Sequence, residues 1–395
     1  MDTKTIQFHI PEHIKTALYM LENAGYEAYL VGGCVRDTLL GHTPEDFDIT
    51  TNALPAQTLA LFVPHYKVIT TGEKHGTITP IIDHVPVEIT TYRIDGDYTD
   101  NRHPDTVAFS ADIRDDLARR DFTVNALAYS EKSGLVDAFD AVEDLRNGTI
   151  RCVGTADARF GEDALRMMRA LRFSAVLCFT VESDTAQSIR KNFQNVLAVS
   201  AERIYTELKK LLAGTDAARV LREFPCLCET LFQITLTESK LTGVEAVDTV
   251  PLRLALLFVG EDVTKLRYLK PDNKTYRYVK RMNTLYTFAL GEREKTVAGL
   301  ARFMYENSIT KAEMRDLLRM REALGDTAVS DFPLQTLVEK AVPTTVAELA
   351  IDGNAVTALG YTGRAVKRKL CLALEAVIDG KCENEERALC AYLMQ

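Results

Sequence analysis

GGCVRDTLLGHTPEDFDIT, residues 32–50, decides the reading of this chain. The short apolar run Ala28 to Val31 before it predicts a strand. Gly32 and Gly33 then permit a sharp turn and let a bulky anion approach the backbone. Cys34 to Leu40 reads as one helical segment, stopped by Gly41. After a turn, Asp46 and Asp48 stand two apart on a predicted strand, which points both carboxylates to one face. A phosphate-tolerant turn beside a carboxylate pair suits metal-assisted nucleotidyl transfer, in which metal ions neutralise a triphosphate and activate the attacking hydroxyl. A lone D-x-D also suits a turn cap or a solvent-facing pair; the preceding glycines favour the site.

Working outward, a helix is expected at Glu12–Asn23, and further strands at 66–70, 77–82, 87–92 and, more weakly, 135–139. The polar stretch 94–108, IDGDYTDNRHPDTVA, reads as a mobile loop. From about residue 155 the apolar period becomes helical, with helices expected at 156–177, 184–195 and 201–212 and short connections beyond. Pro251, Pro271, Pro333 and Pro343 mark expected breaks. The fold class is therefore α+β: a mixed first part followed by an all-helical one.

The 395 residues suffice for two to four domains, and 46% hydrophobic with 26% charged residues is an ordinary soluble composition. No apolar stretch is long enough to span a bilayer, and MDTKTIQFHIPEHIK lacks the pattern of a signal peptide. The eight cysteines are scattered, with Cys226 and Cys228 too close for a usual zinc pair. They read as reduced thiols of a cytoplasmic protein. The net charge of −9 argues against nucleic-acid binding if taken alone. Two local clusters oppose it: the tyrosine-interleaved 264–281, with Lys274, Arg277, Lys280 and Arg281, and the cluster around Arg364 and Lys367. Each also suits a solvated helix face.

Three further groups carry chemistry. Glu88, in PVEITTYR, is a candidate third carboxylate for the metal, or an edge-strand surface residue. Arg120, Asp121 and Asn125, in ARRDFTVNALAY, are expected to start a helix, with Arg120 toward a triphosphate and Asp121 toward ribose hydroxyls, or else Asp121 as a cap. In GEDALRMMRALRF, Asp163, Arg166, Arg169 and Arg172 recur every three residues, and Asp163 and Arg166 can meet on one turn. Such a string suits a solvated ion-pair face. It equally suits a base reader: a carboxylate accepts from an exocyclic amino group while a guanidinium donates to a ring acceptor, the edge shared by cytosine and adenine.

The motifs GGCVRDTLLG…DFDIT, TGEKHGTIT, VEITTYR, RRDFTVNA, GEDALRMMRALRF and AERIYTELKKLL, in this order and spacing, resemble the class II tRNA nucleotidyltransferases, the bacterial CCA-adding enzymes. The likeness continues more weakly in IDGNAVTALGYTGRAVKRKL. It implies a polymerase-β-like head at 1–150, then an all-α neck at 151–215, body at 216–325 and tail at 326–395. It implies Mg²⁺ on Asp46 and Asp48 in a two-metal arrangement, with Glu88 at the usual third acidic position. Nucleotide contacts are implied for Gly33, Arg36 and Arg120, and base selection for Asp163 and Arg166, supported by Arg169 and Arg172. The substrates would be CTP and ATP, and the partner tRNA, gripped at its acceptor end and elbow, with no obligatory protein partner. A-only and CC-only addition and poly(A) synthesis belong to near relatives. A catalytically silent RNA-binding protein and a nucleotidyltransferase of another substrate are alternatives from other classes.

Overall fold

The structure, a computed structural model, describes residues 8–96, 107–326, 328 and 330–395. The chain divides into two compact units, one up to Gln233 and one from Ile234.

The first unit opens with α1 (Glu12–Asn23), whose Ile14, Ala17, Leu18 and Leu21 form one buried stripe at helical spacing. Then come β1 (Ala28–Val31), α2 (Gly33–Leu39), β2 (Asp48–Thr51), α3 (Pro55–Phe62), β3 (Lys67–Ile69), β4 (Thr77–Ile82), β5 (Val85–Pro86) and β6 (Ile89–Thr91). The chain continues through β7 (Arg93–Asp95), β8 (Val107–Phe109), α4 (Ile113–Ala118), β9 (Leu127–Ser130), β10 (Gly134–Asp137), α5 (Ala141–Asn147) and β11 (Thr149–Ile150). Helical structure then takes over: α6 (Ala156–Glu162), α7 (Leu165–Leu177), the short β12 (Thr180–Val181), α8 (Ser183–Asn192), α9 (Ala201–Ala213), α10 (Ala217–Glu223) and α11 (Cys226–Phe232).

The main sheet runs β10-β9-β1-β2-β6-β4-β3, with β5 beside β4. All four residues of β1 are buried, as a strand flanked on both edges and covered on both faces requires. β1 and β2 are antiparallel with Val31 opposite Asp48, and β2 and β6 are parallel with Ile49 beside Ile89. Tyr29, Val31, Ala126 and Ala128 of the sheet region pack with Ile113 and Leu117 of α4 in one core cluster. Residues 97–106 of the expected loop lie outside the described residues; its two flanks pair as the β7–β8 ribbon.

ARRDFTVNALAY does not start a helix: α4 ends at Ala118, a short 3-10 turn covers Thr123–Asn125, and the rest is strand β9. β9 lies between β1 and β10, and that burial outweighs the helix preference of its alanines and leucine. The expected helix 156–177 is two helices. Asp163 is extended (φ −144°, ψ 105°) and its Oδ1 accepts from the Leu165 amide at 2.9 Å, so the aspartate ends α6 and caps α7.

The second unit comprises α12 (Glu238–Ala246), α13 (Val250–Leu257), α14 (Asn273–Tyr286), α15 (Val297–Glu306), α16 (Lys311–Ala323), α17 (Phe332–Glu339), α18 (Gly353–Ala358), α19 (Arg364–Ile378) and α20 (Glu386–Leu393). Pro251 and Pro333 sit in the first turns of α13 and α17, where the missing N–H costs nothing. Ile351, Val356, Leu370, Ala373, Leu389 and Leu393 form a separate core cluster at the C-terminal end.

Candidate active site

The site is built around the end of β1. Gly32 has φ +78°, a conformation that favours glycine, and a Cβ there would lie 3.0 Å from the Arg120 guanidinium. The turn thus leaves the chain against a cationic side chain, with the helix α2 starting at Gly33. Across the strand pair, Asp48 begins β2 and Asp46 lies two residues before it, outside the strand; both are exposed. Glu88 also precedes its strand, β6, but the Ile49 amide donates to the Glu88 carbonyl at 3.0 Å and so fixes Asp48 and Glu88 side by side. Desolvation raises the Asp48 pKa; Arg120 opposes the rise and Asp46 adds to it. Glu88 is raised by desolvation and then by Asp48 and Asp46. Three carboxylates therefore repel one another at one sheet end, a charge distribution that a cation would relieve. Among the described residues no three His, Cys, Asp or Glu side chains stand close enough to hold a metal by themselves. An oxygen-only pair short of a full cage fits Mg²⁺, which keeps waters and substrate phosphates in its shell.

Behind the turn runs a relay of hydrogen bonds. Arg36, almost buried, donates from Nη1 to Asn125 Oδ1 at 2.6 Å. Asn125 Nδ2 donates to Asp121 Oδ1 at 3.2 Å, and Asp121 Oδ2 accepts from Arg169 Nε at 2.6 Å. Burial alone would raise the Asp121 pKa, but the Arg169 charge and the Asn125 and Arg169 hydrogen bonds bring it below the usual carboxylate value. Asp121 Oδ1 also accepts from the Phe122 amide at 2.9 Å, so this carboxylate positions Arg169 and Asn125. Arg120 is held by Asp116, fully buried and shared with Arg119 at 2.7 Å and Arg120 at 3.2 Å.

The helix α7 presents the arginine series. The Arg166 amide donates to the Asp163 carbonyl at 3.0 Å, while their side chains have other partners as well. Asp163 Oδ2 accepts from Arg203 of α9 at 2.7 Å, and Arg166 pairs with Glu162. As a cap, Asp163 turns its Oδ1 to the Leu165 amide and its Oδ2 to Arg203. Arg172 Nε lies 2.9 Å from Glu207 Oε2, also of α9, although neither atom reaches hydrogen-bond geometry. Arg203 and Glu207 both lie in AERIYTELKKLL. Their four-residue spacing, opposite in sign to Asp163 and Arg172, was the available signal. Asp116, three and four residues before Arg119 and Arg120, was a similar one.

In the second unit, Lys274, Arg277 and Lys280 are exposed along α14. Arg281 is different: it donates to Glu313 at 3.2 Å and to the carbonyls of Asn307 at 3.1 Å and Ser308 at 2.8 Å, so it holds the fold of its unit. Arg364 and Lys367 are exposed at the start of α19.

A mixed sheet whose acidic strand ends flank a glycine turn, in a chain that continues as helices, is the architecture of polymerase-β-like nucleotidyltransferases, and this head is of that class. The family described as "Poly A polymerase head domain" matches residues 28–151, and that described as "Probable RNA and SrmB- binding site of polymerase A" matches 178–224. The CCA-adding enzyme of Geobacillus thermodenitrificans is 36% identical over 390 residues, 95% of this chain and 94% of that protein. The structure of the Bacillus stearothermophilus CCA-adding enzyme in complex with CTP matches with a TM-score of 0.76 and 32% identity over 98% of both chains. The Thermotoga maritima CCA-adding enzyme complexed with tRNA shares the fold, at a TM-score of 0.71 and 18% identity over 100% of this chain and 98% of that one. The chain belongs to the family of CCA-adding enzymes.

Proposed function

We propose that this chain adds C, C and A in turn to the 3′ end of tRNA, taking CTP and ATP, using no nucleic-acid template and releasing pyrophosphate. The observation that carries this reading is the strand register that sets Asp48 opposite Val31, one residue before the Gly32 turn, and beside Glu88. Its division into head (1–150), neck (151–215), body (216–325) and tail (326–395) is part of the proposal. Asp46 and Asp48 would hold Mg²⁺, with Glu88 adjoining; when bound, two such ions stabilise the attacking and leaving oxygens of an in-line displacement. Arg36 and Arg120 bind the triphosphate, and the bare turn at Gly32 and Gly33 admits it to the backbone. Asp163 accepts from the exocyclic amino group of cytosine or adenine. A carboxylate has about four acceptor sites, so its bonds to Leu165 and Arg203 leave room for the base. Arg166 turns from Glu162 to the ring acceptor, and Arg169 and Arg172 stay with their own carboxylates to hold the pocket. Lys274, Arg277 and Lys280, with Arg364 and Lys367, meet tRNA phosphates at the acceptor end and elbow. Reaction in the cytoplasm, without an obligatory protein partner, completes the reading.

The test supplies purified protein and Mg²⁺ with tRNA transcripts ending before CCA, after C and after CC, and with CTP, ATP or both. Products are read at single-nucleotide resolution. Addition that stops at CCA on all three is expected. A single A on the CC-ended transcript alone would make this an A-adding enzyme. Addition that halts at CC would make it a CC-adding one. Long A tails would indicate poly(A) synthesis. No extension would favour an RNA-binding protein or another substrate.

A further inference from the structure

Three arginines assigned above to the nucleotide pocket converge on one aromatic ring. The guanidinium carbon of Arg172 lies 3.9 Å from the centroid of Phe173, that of Arg36 5.1 Å and that of Arg169 5.5 Å. Arg36 comes from α2, and the other two share α7 with the ring. Phe173 is 7% exposed and meets Phe122 edge-on, with centroids 5.9 Å apart. Each guanidinium has its own polar partner elsewhere: Asp37 and Asn125 for Arg36, Asp121 for Arg169, and Glu207 for Arg172. The ring is the contact that all three share.

We propose that Phe173 is a positioning residue that holds Arg36, Arg169 and Arg172 in place around the pocket for an incoming nucleoside triphosphate. The proposal rests on the reading of the pocket given above. Three like charges gathered around one point repel. The quadrupole of an aromatic ring offsets part of that repulsion, most strongly where water is excluded. An aliphatic side chain of similar volume would fill the space without that attraction. Phe173 touches no reacting atom; it acts through the three arginines. It also ties the arginine of the head, at the glycine turn, to the two on the helix that follows Asp163, so one ring sets the triphosphate arginine and the two that support the base reader.

The experiment replaces Phe173 with phenylalanines bearing one, two and three ring fluorines, which weaken the quadrupole and nearly preserve shape. Dissociation constants for CTP and ATP are measured by calorimetry on the full chain. KM and kcat come from primer extension, alongside the dissociation constant for tRNA and the melting temperature. Affinity for both nucleotides is expected to weaken stepwise with fluorine number, reaching about five- to tenfold with three fluorines. KM should follow it, while tRNA affinity holds steady. Phe173→Leu should bind nucleotides as weakly as the trifluorinated protein. Nucleotide affinity that stays flat across the series, at constant melting temperature, would overturn the proposal and leave Phe173 as packing. Fluorine-dependent nucleotide binding without tRNA extension by the unmodified chain would sink the proposed function and keep the role of the ring. No nucleotide binding by the unmodified chain would remove both.

Discussion

Asp163 caps α7 and, in the proposed function, also reads the base. Its spacing from Arg166 suggested a base reader, but the backbone break that makes it a cap, and its tie to Arg203, came from the fold. Asp163→Ala should lower the preference for C and A over G and U about 10- to 100-fold while some incorporation persists. It should also cost about 1 kcal/mol of stability through the lost cap. Single-nucleotide misincorporation assays check the first effect and thermal melts the second; unchanged selectivity would take the base-reading role from Asp163. Asp121 is the contrasting case, a carboxylate bonded within the fold to Arg169, Asn125 and the Phe122 amide. Its pKa in the fold is lowered, despite burial, by Arg169 and Asn125. A carboxyl lowered on folding stabilises the fold above its unfolded pKa of about 3.9 and loses that contribution as the pH falls through the folded value. Asp121→Asn should therefore be less stable than the parent at pH 7, by about 1–3 kcal/mol. That gap should close in acid, below about pH 4. A difference in melting temperature that is the same at pH 7 and pH 3 would contradict it.

The pairing of α7 with α9 carries the arginine series, and its closeness depends on Gly214. A Cβ on Gly214 would stand 2.6 Å from the Ala175 carbonyl oxygen, so backbone must move to admit it. Gly214→Ala should destabilise by about 1–3 kcal/mol. It should also raise KM for both nucleotides by displacing α7. Gly161→Ala is the contrast: nothing lies within 4 Å of a Cβ there. Being in α6, it should gain up to about 1 kcal/mol. Melting temperatures of the pair decide whether contact or helix propensity governs. The same elements show what a sequence can and cannot reveal. α1 was legible to the residue, because Ile14, Ala17, Leu18 and Leu21 mark one face and Pro11 precedes it. β1 and β4 were equally legible as runs of strand-forming residues. β9 was not, because LAYS between Asn125 and Glu131 carries no local strand signal and is a strand only through its neighbours β1 and β10. The carboxylates and most arginines of the site were legible as residue types at fixed spacing. Asp116 was legible in the same way, three and four residues before Arg119 and Arg120, but the pairing of Arg203 and Glu207 with Asp163 and Arg172 was not, since ion pairs between distant segments are set by tertiary structure.

The chain as a whole carries a net charge of −9, yet its proposed partner is a polyanion. Binding must then come from local groups of cations against an unfavourable mean charge, and it should be steeply salt-dependent. Lys274, Arg277 and Lys280 lie exposed along α14, whereas Arg281, next in sequence, is engaged with Glu313 and two backbone carbonyls. Neighbouring cations thus make separable predictions. Changing Lys274, Arg277 and Lys280 together to Gln should weaken tRNA binding and reduce the slope of log affinity against log salt by about 2–3 units. Melting temperature should stay near that of the parent, because all three residues are exposed. Arg281→Gln should do the reverse. It removes the donor to the Asn307 and Ser308 carbonyls, so the melting temperature should drop while the salt slope stays within error of the parent. Filter-binding titrations at several salt concentrations, with melts of the same samples, measure both quantities. A triple variant with the parent's slope would move the tRNA contact off α14, and an Arg281 variant with a flattened slope would place that residue in the contact after all.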